Sequence, residues 1–148
     1  MPKAKQVTLG QALHHTGGLP EYIRSKGFID EVGNHPAAYV SPRKILSWVR
    51  GTRLAHRPGT KYEYSDTDNI VVGLMAEKVT GVPYLRQIRR LGRQIGGLRS
   101  TFLPRTVQMP GPYMHGYEIA PGKQPEDVSH LINPSGAWAS GGIVSSLP

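Results

Sequence analysis

The chain has 148 residues, a net charge of +8 and no cysteine. It is long enough for a real core, burying roughly 68 to 70 % of its unfolded surface, and the missing cysteine excludes disulfides, thiolate catalysis and cysteine zinc sites. No run approaches the roughly 18 apolar residues of a membrane span, and the first residues hold no apolar stretch of signal-peptide length, so the compartment stays open.

Glycine and proline are abundant, at 18 and 13, which favours short elements joined by structured loops over a long bundle. Met1 to Val7 is a polar, basic lead-in. Thr8 is placed to cap a short helix with Leu9 and Leu13 on its buried side, and His15 to Pro20 reads as a turn. Glu21 to Val40 shows little periodicity and contains Gly27, Gly33 and Pro36, so at most a turn or two of helix is expected there. Ser41 to Arg50 has a serine cap, Pro42 at the first helical position and an apolar face of Ile45, Trp48 and Val49, with Gly51 ending it.

Gly59 to Asn69 is a polar turn that feeds a helix. Ile70, Leu74 and Glu77 fall one turn apart beside a second stripe of Val71, Met75 and Val79. Asp66 or Asp68 is expected to cap its start, and Gly81 followed by Pro83 closes its end. Pro83 to Gly97 is a basic amphipathic helix, weakened late by Gly92, Gly96 and Gly97, with Arg86, Arg89, Arg90 and Arg93 opposite Leu85, Ile88, Leu91 and Ile95. No aromatic residue interleaves with the arginines from Arg86 to Arg99, so this reads as a solvated face rather than a nucleic-acid surface. Ser100 to Pro104 is an extended exit, and the alternation of Tyr113, His115, Tyr117 and Ile119 predicts a small hairpin or edge strand. The tail from Asn133 to Pro148 is built of small residues that permit close approach.

The chemistry-bearing stretch is Tyr64-Ser65-Asp66, where loop becomes helix. Its residues read either as a capped helix start with a packed tyrosine or as polar groups lining a cleft. The histidines His14, His15, His35, His56, His115 and His130 lack metal-ligand spacing and read as surface or packed residues. Gly92 to Gly97 lacks the Lys-Ser/Thr sequel of a phosphate loop. No metal or organic cofactor is expected.

Taken together, Leu13 to Pro20, Pro58-Gly59-Thr60, Tyr62 to Asp68, Gly73-Leu74, Glu77 to Gly81, Thr101 to Pro104 and Ala139 to Ser145 resemble one family in order and spacing. It is the penicillin-recognising serine hydrolases: class C β-lactamases, D-alanyl-D-alanine carboxypeptidases and related esterases. The resemblance runs from about Val7 to Ser146. It implies the α-rich part of an α+β serine β-lactamase and DD-peptidase-like fold, as one domain over 1–148, with short helices, long loops, at most a small hairpin, and a central sheet largely missing.

In that family a Ser-x-x-Lys serine is acylated, the first residue of a Tyr-x-Asn motif assists proton transfer, and a Lys-Thr-Gly or His-Thr-Gly lines the opposite wall. By resemblance Tyr64 is the base or proton relay, with Ser65 beside it, and Asp66 stands where the family usually has asparagine. An ionised aspartate only accepts hydrogen bonds, whereas asparagine also donates. The nucleophile is expected upstream of Met1 and the third motif beyond Pro148, so the chain reads as a central fragment. Lys61 is close enough in sequence to help lower the tyrosine pKa.

Ser41-Pro42-Arg43-Lys44 also matches Ser-x-x-Lys, and His15-Thr16-Gly17 spells the third motif, although the resemblance puts them at a helix cap and a turn. The implied partner is a small-molecule substrate, a β-lactam, D-alanyl peptide or ester, with no metal. Self-association through uncovered apolar surface is a further expectation. Two other readings stay open: a non-catalytic remnant or binding module, and an anion-binding protein acting through the Arg86 to Arg99 face.

Overall fold

The computed structural model describes residues 4–96 and 98–146; Met1 to Lys3 of the lead-in, Gly97 and the last two residues of the tail lie outside them. Five helices carry the fold: α1 (Leu9–Leu13), α2 (Lys26–Asn34), α3 (Pro42–Trp48), α4 (Asp66–Thr80) and α5 (Tyr84–Ile95). Short 3-10 turns cover Ala4–Gln6, Tyr22–Arg24 and Pro134–Gly136. The only sheet among the described residues is an antiparallel hairpin of β1 (Tyr117–Glu118) and β2 (Glu126–Asp127), with Tyr117 opposite Asp127. The helix-rich expectation holds.

Local signals set several helix ends. Thr8 and Gln11 form a reciprocal capping box on α1. The Ser41 hydroxyl accepts from the Lys44 amide at 3.2 Å, with Pro42 opening α3. Gly81, at φ +68°, ends α4 in the left-handed region. Glu77 then reaches forward, its Oε1 accepting from the Tyr84 amide at 2.7 Å and giving α5 the cap that Pro83 cannot provide.

Four expectations need correction. The buried residue of α1 is Ala12, while Leu9 and Leu13 are exposed, because a five-residue helix turns only one narrow face inward. The span from Glu21 to Val40 holds a nine-residue helix, α2, capped by Ser25. Gly27 obscured it: a Cβ there would stand 2.2 Å from Trp48 Cδ1, so this glycine marks a close packing contact and not a break. On α4, Ile70 and Gly73 are buried, but Met75 and Val79 face outward beside an open apolar groove of about 270 Å3 shared with Leu46. On α5, Leu91 and Ile95 are likewise exposed.

The core joins Tyr22, Val40, Ile45, Val49, Ile70, Leu103 and Trp138, drawn from segments far apart in sequence. Trp138 lies against the bare backbone of α4 at Gly73, where a Cβ would come within 2.7 Å of its ring. Phe102 pairs with Val144 in an isolated antiparallel bridge, which holds the small-residue tail beside the extended exit from α5. The tail therefore packs inward, with Asn133, Ser135 and Trp138 buried.

Candidate active site

The segment before α4 is held by the turn after α1. Backbone amides of Ala55, Gly59 and Glu63 donate to the carbonyls of Gly18, Thr16 and His15, each at 2.8 Å. These bonds deliver Tyr64, Ser65 and Asp66 to the mouth of α4. The turn carries strain, because His15 sits at φ +51°, a region that costs a non-glycine residue about 1–3 kcal/mol and persists only where surrounding contacts hold it.

Neither aspartate caps α4 as expected from sequence. Ser65 occupies the cap position without a side-chain bond to the helix. The Asp66 amide instead donates to Glu21 Oε2 at 2.8 Å, a cap supplied from 45 residues upstream. Both aspartates are thereby released for other contacts.

Asp66 turns to the tyrosine: the Tyr64 hydroxyl donates to Asp66 Oδ1 at 2.8 Å, and Asn69 Nδ2 donates to the same hydroxyl at 3.4 Å. That hydrogen bond, followed by burial and the charges of Asp66 and Glu21, raises the Tyr64 pKa above its usual value. Lys61 does not offset this, since its ammonium pairs with Glu63 at 2.7 Å. The expected help from Lys61 is corrected.

Asp68 turns inward to His15, with Oδ2 3.2 Å from Nδ1. It is completely buried, and burial pushes its carboxyl up to about 6, opposed by His15. The His15 ring also lies on Tyr64, with centroids 4.4 Å apart.

Asp66 lines a cleft of about 250 Å3 whose walls are mostly apolar, among them Phe28, Val32, Val40 and Ile132. Tyr22 and Ser140 contribute polar groups. The Tyr22 hydroxyl donates to the Gly136 carbonyl at 2.7 Å and lies 3.3 Å from Ser140 Oγ, and burial drives its pKa to about 12, so it stays neutral.

Of the three residues singled out in sequence, Tyr64 and Asp66 meet, while Ser65 is turned into the interior with its hydroxyl unpartnered among the described residues. His15, Glu21, Asp68 and Asn69 join the site without having been singled out. Only His15-Thr16-Gly17 carried a signal, and it is used as a turn. Ser41 is a helix cap and Lys44 pairs with Glu31, so the alternative Ser-x-x-Lys has both members engaged structurally. Among the described residues no group of three or more His, Asp or Glu side chains gathers to hold a metal.

The pattern described as Beta-lactamase matches residues 2–148. An Escherichia coli K12 protein, provisionally named a D-alanyl-D-alanine carboxypeptidase, is 30% identical over 101 residues, covering 66% of this chain and 22% of that protein. The Staphylococcus aureus protein flp is 28% identical over 82 residues, 55% of this chain and 15% of its own length. The matched region thus spans about a fifth or less of the length of these curated relatives.

Among solved structures, a D-stereospecific amidohydrolase from Streptomyces sp. superposes with a TM-score of 0.76 at 29% identity, over 94% of this chain and 43% of that one. A penicillin binding protein from Bacillus halodurans shares the fold with a TM-score of 0.75 at 19% identity, over 97% and 41%. A D-amino acid amidase from Ochrobactrum anthropi SV3, complexed with L-phenylalanine amide, does so at 0.74 and 24%, over 99% and 41%. A match along essentially the whole chain, on a helix-rich fold with a tyrosine at the mouth of α4, makes this chain a member of the β-lactamase family of serine hydrolases.

Proposed function

We propose that these 148 residues carry the proton-relay wall of an acyl-serine hydrolase, with Tyr64 and Asp66 as relay and the acylated serine and its lysine contributed by sequence outside them. The observation that carries the reading is the hydrogen bond from Tyr64 to Asp66, the latter a lining residue of the apolar cleft. A tyrosine with a raised pKa is a poor stationary base, and general-base catalysis wants a pKa near the working pH. A relay avoids that difficulty. As the serine oxygen attacks the substrate carbonyl carbon, its proton passes to the Tyr64 oxygen while the Tyr64 proton passes to Asp66 Oδ1. The reverse transfer protonates the leaving nitrogen or oxygen as its bond to carbon breaks, and water then releases the acyl group by the same route.

The substrate class that suits the cleft is a small amide, peptide or ester with an apolar substituent. The amino-acid amide named for the Ochrobactrum structure fits that description, and a β-lactam is the alternative within the same chemistry.

A second reading, a non-catalytic binding domain of this fold, is favoured by one observation: Ser41 is engaged as a cap and Lys44 by Glu31. Mass analysis after exposure to labelled penicillin and D-phenylalanine amide separates the two. The relay reading expects no adduct on the chain alone, acylation of a Ser-x-x-Lys serine in a longer chain that contains it, and a loss of at least about 100-fold in acylation rate in Tyr64→Phe. An adduct on Ser41, or a longer chain indifferent to Tyr64→Phe, would overturn it; a folded longer chain that is never acylated supports the binding domain.

A further inference from the structure

Behind Tyr64 lies a buried pair that the relay does not use. Asp68 has no exposed surface, its Oδ1 has no partner among the described residues, and its Oδ2 faces His15 Nδ1 at 3.2 Å. A buried carboxylate with one orphaned oxygen is costly unless a proton or a cation accompanies it. His15 Nδ1 is also approached by the Ser65 amide at 3.5 Å. Two placements of one proton satisfy this geometry. On Nδ1 it donates to Asp68; on Oδ2 it donates to Nδ1, whose single lone pair also faces the more distant Ser65 amide.

The other face of the His15 ring contact is Tyr64. The two centroids are 4.4 Å apart with the planes tilted by 44°, inside the roughly 6 Å reach of a cation over an aromatic ring. Tyr62 meets the same imidazole edge-on at 6.1 Å. The charged groups that bear on the pair are Glu21 and His56, which act on Asp68, while Asp66 and Glu21 act on Tyr64. With the proton on Nδ1 and Nε2 also protonated, the imidazole presents a positive charge to the phenol ring; with the proton on Oδ2 it presents none.

We infer that His15, aligned by Asp68, is a positioning residue for Tyr64: the proton held by the pair fixes the phenol against the imidazole and eases transfer of its hydroxyl proton, and loss of that proton loosens both. The left-handed backbone of His15 and its bonds to the segment before α4 hold the imidazole in this place. Burial brings the Asp68 carboxyl up to about 6, within reach of ordinary working pH. The inference rests on the reading of Tyr64 as the relay, but its readout is spectroscopic and independent of turnover, so an inactive chain leaves it open to decision.

The test follows the Tyr64 ring resonances of the 148-residue chain by NMR across pH 4 to 9, with Tyr64→Phe providing the assignment. The expected result is an inflection near pH 6 that disappears in His15→Gln, is altered in Asp68→Asn, which removes the carboxyl it belongs to, and persists in His56→Gln. No inflection in the wild-type chain, or one that survives His15→Gln, overturns the proposal. Should Asp68→Asn fail to fold, His15→Gln decides alone, because His15 lies outside the hydrophobic core cluster.

Discussion

The Tyr64 hydroxyl gives its hydrogen to Asp66 Oδ1 across 2.8 Å, two residues along the chain. This bond is the largest cause of the raised tyrosine pKa. Asp66→Asn removes the charge and weakens the acceptor, so phenolate is expected to form at lower pH than in the wild-type chain. Phenolate absorbance, taken as the difference from Tyr64→Phe, measures it; a Tyr64 titration that stays in place would show that Asp66 does not control the phenol.

Glu21 supplies the cap that Ser65 fails to make. Glu21→Ala is expected to cost about 1 kcal/mol, the usual loss for a helix cap. Ser65→Ala is expected to be neutral or stabilising, because its buried hydroxyl has no partner and a buried unsatisfied hydroxyl costs roughly 1–3 kcal/mol. Urea unfolding midpoints of the two variants should move in opposite directions, or Ser65→Ala should not move at all.

Packing against α4 is tested at Gly73. An added methyl would stand 2.7 Å from the Trp138 ring and 2.8 Å from Ala139 Cβ, so Gly73→Ala should destabilise by about 1–3 kcal/mol despite the better helix propensity of alanine. Val79→Ala, at a residue 86% exposed, should stay within about 0.5 kcal/mol. Equal midpoints for the two would contradict the close packing of Trp138 on the helix.

Two aspartates oppose each other in pH dependence. The Asp68 pKa is raised to about 6 in the folded chain, above about 3.9 when unfolded, so the folded state binds the extra proton. Its contribution to stability is therefore greatest below about pH 4 and is lost as pH rises to about 6, on the order of 3 kcal/mol. Asp68→Asn should abolish that decline.

Asp127 runs the other way. The Ser129 hydroxyl and amide, and then His115, hold its carboxyl well below the usual range. Its contribution is present above about pH 4 and is lost on further acidification. Thermal midpoints of Asp127→Asn across the acid range should lack that loss, while the decline between pH 4 and 6 persists.

Much of the helical content was legible because it is written locally. Thr8, Ser41-Pro42 and Gly81 act within a few residues of the ends they set, and the alternation around Tyr117 became a hairpin. The resemblance located Tyr64 and Asp66 at the mouth of α4 for the same reason, as a contiguous motif. What depended on approach between distant segments was not readable. Gly27 has the local character of a helix breaker, yet it lies inside α2 because Trp48 packs on its bare backbone. The stripe of Met75 and Val79 promised burial that the described residues do not provide.

The sequence by itself therefore determined the helices with strong caps, the polar mouth of α4 and its family likeness, since each depends on neighbours in the chain. Only the tertiary structure decided which acceptor each polar group takes. Glu21 crosses 45 residues to cap α4, and that released Asp66 to Tyr64 and Asp68 to His15, 53 residues away. A buried donor must find an acceptor wherever the packed chain presents one, and no local pattern records that choice.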